Sequence, residues 1–167
     1  IVGCLVGSEM CIRDSLWAVG TLGRGAWLDS GVLDGPIASS VTTSTDDNYI
    51  FNHEVGYDDD GSPMTAFIES GDLEIGDGQN FMMIDRVVPD FSFSGSATPS
   101  VNMTIKGSNF PLETPSSIAT ATITNTTKQS NIRARARHTV LRLESTGTGY
   151  GWRLGGFRFG MRQDGRR

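Results

Sequence analysis

Few side chains in this sequence of 167 residues are placed to do chemistry. His53 and His138 are far apart, and neither has a second histidine or a cysteine at metal-ligand spacing, so each is read as an ordinary strand histidine. Asp58, Asp60, Ser62 and Glu69 trace the outline of a calcium loop. Pro63, however, stands where such a loop needs its glycine, and a strand rather than a helix is expected to follow. The segment is therefore read as a turn. Glu54, Glu69 and Asp85 could pair across strands as glycosidase carboxylates do, although a solvated sheet face gives the same pattern. No G-x-S-x-G, phosphate-cradling loop or dinucleotide fingerprint occurs, and Gly76-Asp77-Gly78 reads as a turn. No catalytic residue, metal ligand or cofactor is expected.

The sharp signal is electrostatic. The net charge of −5 hides ten basic residues between Lys128 and Arg167 against only Glu144 and Asp164, a local charge of +8 that leaves −13 for the rest. Arg133, Arg135 and Arg137 alternate at period two, so roughly 7 Å separates neighbours along a strand. Such a row needs acidic partners or water. Together with Arg142, Arg153, Arg158 and Arg162 they are the candidate subunit-facing or DNA-facing residues. Pairing with an acidic surface, of this chain or a neighbouring copy, is the first reading, and contact with DNA phosphates the second. Tyr150, Trp152, Phe157 and Phe159 lie among these arginines but alternate as core positions do.

Positioning falls to strands. Hydrophobic residues make up 37% and charged residues 20%, with 21 glycines and abundant Ser and Thr, which suits short strands joined by tight turns. No apolar run approaches the roughly 18 residues of a membrane span, so no membrane partner is expected. Strands are predicted within 17–28, over 49–55 and over 64–70, the last two as a hairpin about Tyr57–Pro63. Residues 31–47 read as loop. Phe81–Val88 is a buried-type strand stopped by Pro89, and Val101–Lys106 alternates cleanly. Ile118–Asn125 and Asn131–Ser145 are the next strands. In the last, the apolar face switches near His138, which predicts a bulge or a strand leaving one sheet for another. The same switch recurs across Gly155-Gly156. The fold class is all-β with antiparallel sheets, as in a partial β-propeller or a β-sandwich.

Residues 6–15, VGSEMCIRDS, resemble the translation of a sequencing-adapter read-through. Residues 1–15 are thus expected to be non-native, and both cysteines, Cys4 and Cys11, fall inside or beside that string. Disulfide and thiolate chemistry drop out with them. The remainder is expected to be the end of a longer protein: a β-rich body over 16–92, a Ser/Gly/Pro-rich linker near 92–100, and a basic C-terminal β-domain over 93–167.

Several strings carry a resemblance. HEVG (His53–Gly56), IESGD (Ile68–Asp72), DGQNFM (Asp77–Met82), RARARHTVLRLES (Arg133–Ser145) and WRLG followed by RQDGRR at the end look like the closing stretch of one group. They resemble the tail tubular protein B, or nozzle, and stabilisation proteins of short-tailed phages. The resemblance implies a virion structural protein of the phage tail, β-propeller-like or β-rich. It would assemble with itself into a ring, usually hexameric, that lines or closes the DNA passage beside portal, adaptor and other tail proteins. It implies no catalytic residues. Two rivals stand: a carbohydrate-binding or -degrading tail module, against which burial of both Trp27 and Trp152 would count, and a generic nucleic-acid-binding domain, whose affinity must fall steeply with salt.

Overall fold

The structure, a computed structural model, describes residues 24–28, 35–40, 49–76, 78–95 and 98–166. Residues 1–15, expected to be non-native, lie outside the described residues. Those described contain strands and turns and no helix, so the all-β class holds. The chain divides into two compact units, 1–56 and 57–167.

In the first unit, β1 (Arg24–Leu28), β2 (Ile37–Ser40) and β3 (Ile50–Asn52) form an antiparallel sheet in that order. Ile37–Ser40 thus pairs as a strand inside the segment read as loop. Its alternation is short and Ser-rich, which masked it. Trp27, Ala38 and Phe51 share one cross-strand row, with Ala38 buried at its centre.

The predicted hairpin between 49–55 and 64–70 does not form. β3 pairs with β2, whereas β4 (Ala66–Glu69) pairs with the distant β11 (His138–Ser145). The turn itself closes as its residues require: Asp59 and Ser62 exchange two backbone hydrogen bonds of 2.9 Å. Upstream, Glu54 and Gly56 take positive φ values of 61° and 80°. These re-aim the chain before the turn, so the strand cannot run through it.

The second unit holds β4, β5 (Leu73–Glu74), β6 (Met82–Val88), β7 (Phe91–Gly95), β8 (Ser100–Ser108), β9 (Ser116–Thr124), β10 (Ser130–Ala136), β11, β12 (Tyr150–Leu154) and β13 (Arg158–Gln163). One sheet runs β4-β11-β8-β9, with β5 beside β11. A second runs β10-β6-β13, and β7 pairs with β12. Every ladder is antiparallel. Met103, Ile105, Leu141 and Leu143 from the larger sheet meet Met82, Ile84, Val87 and Ala134 from the smaller one in a single core. The two layers face each other as in a sandwich.

Both predicted face switches occur. The Asn131–Ser145 segment breaks at Arg137: β10 belongs to the smaller sheet and β11 to the larger, so Ala134 and Ala136, then Thr139, Leu141 and Leu143, all point inward. At Gly155-Gly156 the chain passes from pairing with β7 to pairing with β6, and Trp152, Leu154, Phe157 and Phe159 all pack on the core. The linker expected near 92–100 is in part a strand. Phe91 and Phe93 alternate inward from β7, stacked 5.6 Å apart, and the boundary at 92 falls inside that strand. Aromatic anchoring outweighs the Ser/Gly composition there. Strands from both sides of Ser92 share a sheet, because β6 is flanked by β10 and β13.

Candidate functional site: a basic sheet face

On β6 the inward residues are Met82, Ile84 and Val87. The step from Ile84 to Val87 spans three residues, so a strict alternation is broken between them. The ladders show where: β13 skips Asp85, its Gly160 and Met161 pairing with Arg86 and Ile84, while β10 sets Ile132 and Arg133 against Asp85. This is a β-bulge, and it turns Asp85 and Arg86 to the same outer face. Gly160 on β13 lies against them. A Cβ there would collide with the Asp85 carboxylate and meet Arg86 Cβ at 3.2 Å, so this position takes the residue without one.

The register places the rest. Arg135 and Arg162 flank Met83 in one cross-strand row. With strands about 4.8 Å apart, their backbones stand roughly 10 Å from each other. Arg158 pairs with Val88 further along β13, and Arg133 precedes Arg135 by two positions on β10. Met83 is only 6% exposed although it sits on the outer face. The long stems of flanking arginines cover such a residue while their heads stay in water. One face of a three-stranded sheet thus carries Arg86, Arg133, Arg135, Arg158 and Arg162.

The seven predicted arginines separate into four groups. Arg133, Arg158 and Arg162 are exposed on this face, with no carboxylate within ion-pair distance among the described residues. Arg153 is exposed on β12, beyond the Gly155-Gly156 switch. Arg135 and Arg137 hold the C-terminal segment. Arg135 Nε donates to Asp164 Oδ2 at 2.6 Å, and Arg137 Nη2 donates to the Arg166 carbonyl at 3.1 Å. Both guanidinium groups stack against Phe81, at 3.9 and 5.0 Å from its centroid. Arg142 is not part of the face. It projects from β11 on the outer side of the other sheet, where Glu69 and Glu144 bind it, each at 3.1 Å. The reason is the sheet change at Arg137, which sends outward-facing residues of β10 and β11 to opposite surfaces. Arg86 was missed because β6 reads as a wholly buried strand. A three-residue gap between buried apolar residues was the available signal.

Lys106 joins Arg142 on Glu69 at 2.8 Å, while Phe67 lies 4.0 Å beneath the Arg142 guanidinium. Hydrogen bonds from Lys106 and Arg142 hold the Glu69 carboxyl below the ordinary carboxylate range, and Arg142 does the same for Glu144. Both folded-state values are depressed, so the contribution is present above the unfolded value of about 4.3 and is lost as pH falls through the lower folded values. We predict that unfolding midpoints drop on acidification from about pH 5 to pH 3, and that the drop is shallower in Glu69→Gln/Glu144→Gln. Equal slopes for both proteins would refute the network's role. Salt should blunt the difference, because the pairs are solvent-accessible.

The remaining candidates are placed as follows. Asp58 Oδ1 accepts the Gly149 N–H at 2.6 Å, and no cluster of three His, Cys, Asp or Glu side chains that could hold a metal occurs among the described residues. His138 Nδ1 lies 3.1 Å from Glu74 Oε2. His53 accepts Arg24 Nε at 3.3 Å and stacks on Trp27 at 4.3 Å. Glu69 and Asp85 project from the outer faces of opposite layers, so they cannot flank one bond, and Glu54 belongs to the first unit. The two tryptophans differ. Trp152 packs on the core and donates Nε1 to Ser145 Oγ at 2.8 Å, whereas Trp27 is 57% exposed.

The fold and this face define an all-β protein with an arginine-rich sheet surface. Comparison with protein-family models and with curated proteins found no match.

Proposed function

We propose that this chain is a virion structural protein of a phage tail, a subunit that assembles with copies of itself into a ring about the DNA passage. The observation that carries the reading is that two of the sheet-edge strands carry exposed apolar side chains. β4 and β13 each pair on one side only among the described residues, and they expose Phe67, Ile68 and Met161 at 38, 48 and 47%. Isolated proteins blunt such edges, whereas subunits of an assembly cover one another's. The likeness of the closing strings to nozzle and stabilisation proteins supports the same reading. Portal, adaptor and other tail proteins are the proposed neighbours, and the tail of the virion is the proposed location.

A carbohydrate-binding tail module is favoured by one observation only, the exposed Trp27 beside His53 and Arg24. The test is immunogold labelling with antibodies raised against the 167-residue chain. Label at the tail vertex of short-tailed particles is expected. Label absent from particles, with the antigen confined to the soluble fraction, would overturn the proposal.

A further inference from the structure

On the outer face of β10-β6-β13, Arg133, Arg158 and Arg162 meet no carboxylate among the described residues, and the chemistry of the face selects a partner. Every cation on it is arginine: Arg86, Arg133, Arg135, Arg158 and Arg162. The planar guanidinium fork binds phosphate through two parallel hydrogen bonds, which an ammonium cannot do. No aromatic side chain lies among the outward residues of these three strands, and the neighbouring Phe81 ring is already stacked against the Arg135 and Arg137 guanidinium groups, so no bare platform is left for bases. The face is built to meet a backbone rather than a sequence.

We infer that this face binds the phosphate backbone of duplex DNA, independently of sequence. Arg158 and Arg162 stand four residues apart on one strand, roughly 13 Å, and Arg135 lies roughly 10 Å across the sheet from Arg162. Duplex DNA carries one charge per about 1.7 Å of axis, so a surface of this size faces several phosphates at once. A second copy of the chain is the weaker occupant, because three of the four carboxylates on the strands of the second unit are already engaged. Glu69 and Glu144 hold Arg142, Glu74 lies against His138, and Asp164 holds Arg135. Asp58 accepts a backbone N–H, and Glu113 accepts those of Asn109 and Phe110. Asp59, Asp60, Asp72 and Asp90 lie outside the named strands and form no row at strand spacing to match the arginines. Asp85 sits within the basic face beside Arg86, where it tempers the local charge without pairing any of the three outer arginines.

This deepens the tail reading by naming the surface turned toward DNA, and the two fail separately, since ring formation and DNA binding are measured in different assays. The test is fluorescence anisotropy of a labelled random-sequence 30-base-pair duplex against the 167-residue chain, over a series of salt concentrations. The wild type should bind at low salt. Arg133→Gln/Arg158→Gln/Arg162→Gln should bind about tenfold more weakly or worse, with the slope of log affinity against log salt reduced by about 3. Arg142→Gln, on the opposite layer, should bind as the wild type does. Unchanged urea midpoints would show that each variant is folded. No binding by the wild type at low salt would overturn the inference. So would a triple variant that binds normally, or one that loses only self-association in light scattering, which would assign the face to a second copy.

Discussion

Leu143→Ala is expected to lower the stability of the second unit by about 2–5 kcal/mol. Leu143 is fully buried, with Met103 opposite it on β8 and Ile68 on β4. It stands in the core that both layers share, so deleting its branched end leaves a void between the sheets that neither can close without tilting. Domains of this size are stable by about 5–15 kcal/mol, so the loss would remove a large part of the total. Leu143→Met keeps the volume and should cost less than about 1.5 kcal/mol. Urea unfolding of the full chain measures both. A loss below about 1 kcal/mol for the alanine variant would mean that the layers do not share a core at this point.

The second large effect is at Gly95, which closes β7 with φ of 109°, a region that L side chains rarely adopt. A Cβ there would strike the Gly149 carbonyl and come within 2.8 Å of Tyr150 Cα. Both obstacles are backbone of the partner strand, so relief requires β7 and β12 to part. Gly95→Val should therefore cost about 3 kcal/mol or more, through combined strain and overpacking. Parting these strands would also disturb Tyr150, whose hydroxyl donates to the Ser100 carbonyl at 2.6 Å, and the edge contact of Phe91 on Trp152. Gly156→Ala, where a Cβ meets nothing within 4 Å, should change stability by under about 1 kcal/mol. Similar losses at the two glycines would contradict the β7–β12 register.

These two sites show what the sequence made legible. Leu143 is recognisable because period-two alternation reports burial directly, and the phase change at Arg137 reports the change of sheet. Strand partners were less accessible. The Asp-rich turn at 58–62 predicts a hairpin, yet a turn fixes only its own four residues, and positive φ at Glu54 and Gly56 sends the chain elsewhere. β7 was hidden because Ser92, Ser94 and Gly95 dominate its composition, while two phenylalanines decide its placement.

The candidate site was legible in part. Arg133, Arg158 and Arg162 were marked by composition and alternation, and the structure gathers them on one face. Arg142 carries the same charge and nearly the same spacing, but the switch at Arg137 moves it to the other layer beside Glu69 and Glu144. Arg86 lies outside the basic run in sequence and joins the face through the one-residue bulge that β6 makes against β13. Charge patterning finds residues of one strand. Only the ladder register shows which strands stand side by side.

The proposed assembly of this chain into a ring is tested most directly by the mass of its particles. Native mass measurement of the purified 167-residue chain, at physiological salt and over a range of concentrations, is predicted to show a discrete closed oligomer of one stoichiometry. A monodisperse monomer at every concentration would contradict it.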